Sequence, residues 1–234
     1  MGGAISWLHF VEKNRRYATL LTTLVALILV VPVLDQTVYG DLVFRAMIAL
    51  IVVAAIWAVS DRSRVFWAVV VVGIPSALVG FAADLDPRLA VESFHLAVTL
   101  LFLAIIMVLV FRSLLHQPRV DSDTVLGGIS VYLLMVVFFT VLFGLVEHLA
   151  PGSFEVRGVA MTGSPESLAA DEFWSVMIYF SMVTITTLGY GDVAPTQGAA
   201  LILSSGEAVL GQLYVAVFIA RLVALYTRSG GGTD

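Results

Sequence analysis

The stretch TITTLGYGD, residues 184–192, sets two glycines, a tyrosine and an aspartate at the end of an apolar run. Each glycine opposes helix by about 1 kcal/mol relative to alanine, and an aspartate is costly to take out of water. Immediately before lies DEFWSVMIYFSMVTITT, residues 171–187, apolar enough for membrane depth. As a helix it reaches about 25 Å at most, and the β-branched run Val183, Thr184, Ile185, Thr186 and Thr187 frays its end. Asp171 and Glu172 suit a helix N-terminus, where negative charge meets the positive end of the dipole. The chain then breaks at Gly189 and Gly191 and meets Pro195. A segment that enters, stops and returns is re-entrant. Irregular backbone at membrane depth is tolerated only where protein buries it or water reaches it, so the stretch is expected to line a water-filled path inside a protein assembly.

The surrounding chain fits that setting. Of 234 residues, 60% are hydrophobic and only 12% charged, about half the charge of an ordinary soluble domain. The net charge of −5 speaks against a nucleic-acid partner, and the lack of cysteine excludes thiol chemistry and disulfides. Apolar segments fall at 17–34, 42–59, 65–83, 94–111, 125–149 and 198–226, each long enough to cross a hydrocarbon core of about 30 Å. The first follows Lys13, Arg15 and Arg16, but its length and the lack of a small-x-small site before Asp35 favour a retained helix over a signal peptide. The expected fold class is an all-α membrane protein with six transmembrane helices plus a re-entrant pore helix. Basic residues at 13, 15, 16, 62, 64, 112, 119 and 228 fall on one side of that arrangement, with Arg45, Arg88 and Arg157 on the other. The positive-inside rule then puts both termini in the cytoplasm of a multi-pass protein of the plasma membrane. The polar, turn-rich PGSFEVRGVAMTGSPESLAA after the fifth span reads as an extracellular loop, and Glu147-His148 just before it as a solvated rim pair.

In Thr187-Leu188-Gly189-Tyr190-Gly191, glycines alternate with residues that carry side chains. Glycine reaches positive φ without steric cost, and alternating left- and right-handed backbone can aim successive carbonyls the same way while Leu188 and Tyr190 pack outward. Several copies around an axis would stack rings of oxygens able to replace the water shell of a hard cation. TTLGYGD resembles the signature of tetrameric potassium channels, Thr-Val-Gly-Tyr-Gly-Asp and its variants. The resemblance runs from about 125 to 227. It implies a homotetramer in membrane lipid, with K⁺ as the permeant ion and no cofactor. It also implies carbonyl ligands at Thr187, Leu188, Gly189 and Tyr190, the Thr187 hydroxyl innermost and Gly191 at the outer mouth. Leu188 stands in place of the commonest valine. Val183 stands where some relatives have a glutamate paired with the aspartate after the filter, so that pair is impossible here. Tyr179 stands where many have a tryptophan, and its hydroxyl is expected to bond Asp192 and brace the filter. Thr186 completes the support.

On the last span, Gly211 is read either as a hinge or as a close-packing glycine. Glu207, an acid well inside a span, either faces the cavity or bonds Ser181 or Thr184 behind the pore helix. Phe218 and Leu222 either narrow the cytoplasmic mouth or simply pack. The fourth apolar segment, FHLAVTLLFLAIIMVLVF, carries no arginine before Arg112. The layout resembles voltage-gated channels, but the sensor chemistry is absent. The expected domains are a cytoplasmic segment 1–16, a four-helix sensor-like unit 17–120, a pore domain 121–227 and a tail 228–234. The expected function is passive potassium conduction with weak or no voltage dependence. A weakly selective cation channel is the alternative, and a secondary transporter a more distant one, since no inverted repeat is visible. No nucleophile, base or metal-ligand constellation suggests an enzyme.

Overall fold

The computed structural model describes residues 16–34, 39–59, 89–115, 122–162 and 172–230. Helices dominate: α1 (Arg16–Leu34), α2 (Gly40–Val59), α3 (Leu89–Leu115), α4 (Ser122–Leu149), α5 (Phe173–Ile185) and α6 (Gly198–Gly230). Three short strands join them: β1 (Phe154–Val156), β2 (Val159–Ala160) and β3 (Val193–Pro195). Four of the described helices, α1, α3, α4 and α6, are long and apolar enough to cross a membrane. In α2 the apolar stretch is the shorter Leu42–Ala55, and the expected span at 65–83 lies outside the described residues.

The purely helical expectation needs one correction. Residues 154–160, read as part of an irregular loop, form a hairpin, and β3 joins it in the order β2-β1-β3, both pairings antiparallel. Phe154 faces Pro195, and Val156 faces Val193. Arg157 and Gly158 turn the hairpin with φ of 52° and 82°, the left-handed pair that a two-residue connection requires.

The helices pack because each has a continuous apolar surface and the strongest contacts run α1 to α2, α1 to α4, α3 to α4, α4 to α5 and α5 to α6. One core joins α1–α4 through Leu20, Leu24, Phe44, Leu103, Ile106 and Leu134. Trp174 of α5 enters it and stacks on Phe44 with ring centroids 4.0 Å apart. A second core gathers Phe139, Phe143, Phe154, Met177 and Phe180 between α4, the sheet and α5. The buried hydroxyls of Ser130 and Thr140 are satisfied inside α4, Ser130 donating to the Leu126 carbonyl and Thr140 to that of Val136, each at 2.8 Å. At the other end of α6, one Arg221 nitrogen donates to the carbonyls of Leu114 and Leu115 at 2.7 Å, supplying partners that the last turn of α3 lacks.

Coverage is uneven. Of the α4 span 61% is buried, but of the α6 span only 11%. Leu201, Ile202, Val209, Leu213 and Ile219 are exposed on α6.

The α4–α6 crossing depends on Gly128. Tyr214 donates its hydroxyl to the Gly128 carbonyl at 2.6 Å, and the Phe218 ring, stacked on Tyr214, lies over the Gly128 Cα. A Cβ there would come within 1.9 Å of Phe218 Cζ. Gly128→Ala is therefore expected to destabilise the protein by about 1–3 kcal/mol, read as a lower unfolding temperature in detergent. Gly206→Ala, where a Cβ meets nothing within 4 Å, should leave that temperature unchanged or raise it.

Candidate functional site: the 184–192 loop

α5 ends in a defined way. The Thr187 N–H bonds the Thr184 carbonyl at 2.9 Å, and the Leu188 N–H bonds that of Val183 at 2.9 Å. Thr187 itself has φ of 59°. These are the two hydrogen bonds and the left-handed residue of a Schellman termination. Glycine is the default residue at its left-handed position, yet a β-branched threonine occupies it. That conformation costs about 1–3 kcal/mol and is kept where a site needs it. The Thr187 hydroxyl donates to the Thr186 carbonyl at 2.7 Å, and Gln212 Nε2 on α6 reaches Thr187 Oγ1 at 3.4 Å.

Beyond Thr187 the positive φ recurs at every second residue, 58° at Gly189 and 78° at Gly191. A Cβ at either glycine meets nothing within 4 Å, so backbone conformation rather than space demands glycine. The Gly189 N–H also bonds the Val183 carbonyl, at 3.3 Å. Val183 thus anchors the loop through its main chain while its side chain is buried. The Thr186 hydroxyl folds back onto the Met182 carbonyl at 2.7 Å. Residues 187–191 are all exposed in one chain. Leu188 and Tyr190, expected to pack outward against protein, are 54% and 67% exposed, so the described residues leave most of each uncovered.

The outer end of the loop is held from two sides. Tyr179 donates its hydroxyl to Asp192, 2.8 Å from Oδ2 and 3.0 Å from Oδ1. The Arg157 N–H donates to the Asp192 carbonyl at 2.7 Å, which ties the hairpin to the residue just after the glycines. At the inner end, Gly211 brings α6 against the α5 terminus: a Cβ there would lie 2.6 Å from the Ile185 carbonyl oxygen and 2.6 Å from Ile185 Cγ1. Phe218 and Leu222 face α3 and α4, around a small cavity shared with Phe111, Leu114 and Val217. Glu207 is fully buried, its Oε1 2.5 Å from the Ser181 hydroxyl. Asp171 lies outside the described residues, and Glu172 takes the N-cap position of α5 without a side-chain capping bond.

Glu147 corrects the rim-pair expectation. Its side chain is fully buried. Oε1 accepts the Gly152 N–H at 2.8 Å and the Thr162 hydroxyl, and Oε2 accepts the Phe154 N–H at 2.9 Å. All three partners are donors, so the carboxylate clamps the chain leaving α4 into the hairpin. One signal for this was present in the sequence: a carboxylate in the last turn of a helix faces the negative end of the dipole and needs specific donors to stay. His148 remains half-buried, with Nε2 3.6 Å from Glu92 of α3.

Residues 160–228 match the family described as "Ion channel". This stretch is similar to an ion-channel domain. It runs from β2 through α5, the 187–191 loop and β3 to α6, and leaves α1–α4 outside the match. No curated protein and no solved structure matches the chain. With four apolar helices of spanning length, the channel domain sits in an integral membrane protein. Among the described residues, no group of three or more histidine or acidic side chains could hold a metal ion.

Two outcomes test the supports of the channel loop. Tyr179→Phe removes the Asp192 bond and is expected to show as faster loss of current during sustained opening. Glu147→Gln puts an NH₂ group against a backbone N–H, so it should lower the unfolding temperature almost as far as Glu147→Ala.

Proposed function

We propose that this chain is one subunit of a homotetrameric, potassium-selective channel, with six membrane spans per subunit and both termini in the cytoplasm. The observation that carries the reading is the backbone of TTLGYGD: a Schellman end to α5, then positive φ at Thr187, Gly189 and Gly191, exposed along its whole length. One such strand offers a single column of carbonyls. Four around an axis enclose a dehydrated cation in successive oxygen rings, with the negative ends of four α5 dipoles aimed at the entrance. The carbonyls of Thr187, Leu188, Gly189 and Tyr190 act as ligands, with the Thr187 hydroxyl innermost and Gly191 at the mouth. K⁺ moves in single file, each ion displaced by the next. The uncovered α6 face and the bare Leu188 and Tyr190 are the surfaces that neighbouring subunits cover. The channel-family match to 160–228 supports passive ion conduction, and the potassium preference rests on the filter residues.

A weakly selective cation channel is the second reading, favoured only by Leu188 and Val183, where relatives differ. Purified protein in liposomes is expected to pass K⁺ in strong preference to Na⁺, and Gly189→Ala to abolish the flux. Equal K⁺ and Na⁺ flux would select the second reading; flux unaffected by Gly189→Ala would end both. The helix α3 carries one arginine, Arg112 in its last turn, and no arginine or lysine earlier, so conductance should vary little with voltage in planar bilayers. A steep conductance–voltage curve would contradict this.

A further inference from the structure

We propose that Glu207 is the hydrogen donor of a relay across three helices, from its carboxyl group to Ser181 and from Ser181 to the Val136 carbonyl, and that this relay positions α5 beneath the filter. The positioning half of the proposal rests on the filter reading above; the donor half does not.

The geometry sets the direction of the bonds. Ser181 Oγ is 2.5 Å from Glu207 Oε1 on α6 and 3.0 Å from the Val136 oxygen on α4. A hydroxyl carries one proton and a carbonyl none. Both contacts are hydrogen bonds only if Glu207 brings the second proton. Were Glu207 a carboxylate, Ser181 would serve it alone, and a fully buried charge would rest on one neutral donor. Its other oxygen, Oε2, is buried and has no hydrogen-bond partner among the described residues. An ion so placed costs far more to bury than a neutral acid with one idle oxygen.

The relay also sits in register with a second contact. Ser181 and Ile185 are one turn apart on α5; Glu207 and Gly211 are one turn apart on α6. Glu207 meets Ser181 while Gly211 lies against Ile185. Gln212, next to Gly211, reaches Thr187. So α6 holds α5 at two successive turns, one polar and one steric, and touches the base of the loop directly above. A site of this kind tolerates errors of only about 0.5 Å, and the relay fixes how deep α5 sits relative to α4 and α6.

Two measurements on the assembled protein test this. The infrared difference spectrum between wild type and Glu207→Gln should contain the C=O band of a protonated carboxylic acid; a carboxylate band in its place overturns the proposal. In liposomes, Glu207→Gln, whose amide can still donate to Ser181, should keep the K⁺/Na⁺ flux ratio within about twofold of wild type. Glu207→Leu and Ser181→Ala should each lower it by about tenfold or more. A Gln variant as damaged as the Leu variant, or a Leu variant indistinguishable from wild type, also overturns it. If Glu207→Leu fails to assemble, the Gln flux ratio and the spectrum still decide. If wild type itself passes no K⁺, the filter reading falls, and the spectrum alone decides whether Glu207 is the donor.

Discussion

The arrangement depends on how one short helix stops. α5 has only 13 residues, about 20 Å of rise, too short to cross. On the re-entrant reading its terminus releases the chain at membrane depth, where backbone N–H groups need partners. The Schellman pair at Thr184 and Val183 meets that demand, and Val183 then takes the Gly189 N–H as well. With the N–H groups of Thr187, Leu188 and Gly189 turned back onto α5, the first loop carbonyls are left free to face a ligand. A threonine forced into left-handed backbone at Thr187 is the cost of making the turn there while keeping a hydroxyl at the base.

Such a strained loop holds its shape only if over-determined from outside. The buried Glu147 gathers Gly152, Phe154 and Thr162 into the start of the hairpin. β1 pairs with β3, and the hairpin turn holds the Asp192 carbonyl. Tyr179 holds the Asp192 carboxylate from the α5 side. From below, Gly211 and Gln212 press α6 against Ile185 and Thr187. Two buried glutamates do opposite work in this frame: donors surround Glu147, which must accept, whereas Glu207 meets a hydroxyl already beside a carbonyl.

The spanning helices were legible because lipid writes them as long apolar runs. The segments 17–34, 94–111, 125–149 and 198–226 fall within α1, α3, α4 and α6. The short helix was legible too, since 171–187 is apolar but ends in glycines. The sheet was not. Its strands are two or three residues long, and the β1–β3 pairing joins Phe154–Val156 to Val193–Pro195 across the whole of α5. Strand propensity in so short a run carries almost no information. Glu147 was misread because adjacency to His148 suggested a surface pair, whereas donors brought in by the following turn bury it. For Gly211, Phe218 and Leu222, position along α6 gave both a hinge or gate reading and a packing one, and the contacts of each with Ile185 or with α3 and α4 were not legible in it.

Leu188 and Tyr190 stand bare in a lone chain. On the tetrameric reading, whatever covers them belongs to another copy, so no subunit owns a finished filter. A cell making both a sound and a faulty version of this protein would mix them in the same ring, and most rings would include at least one faulty member. Damage to this loop would then be inherited as a dominant trait rather than masked by the healthy copy.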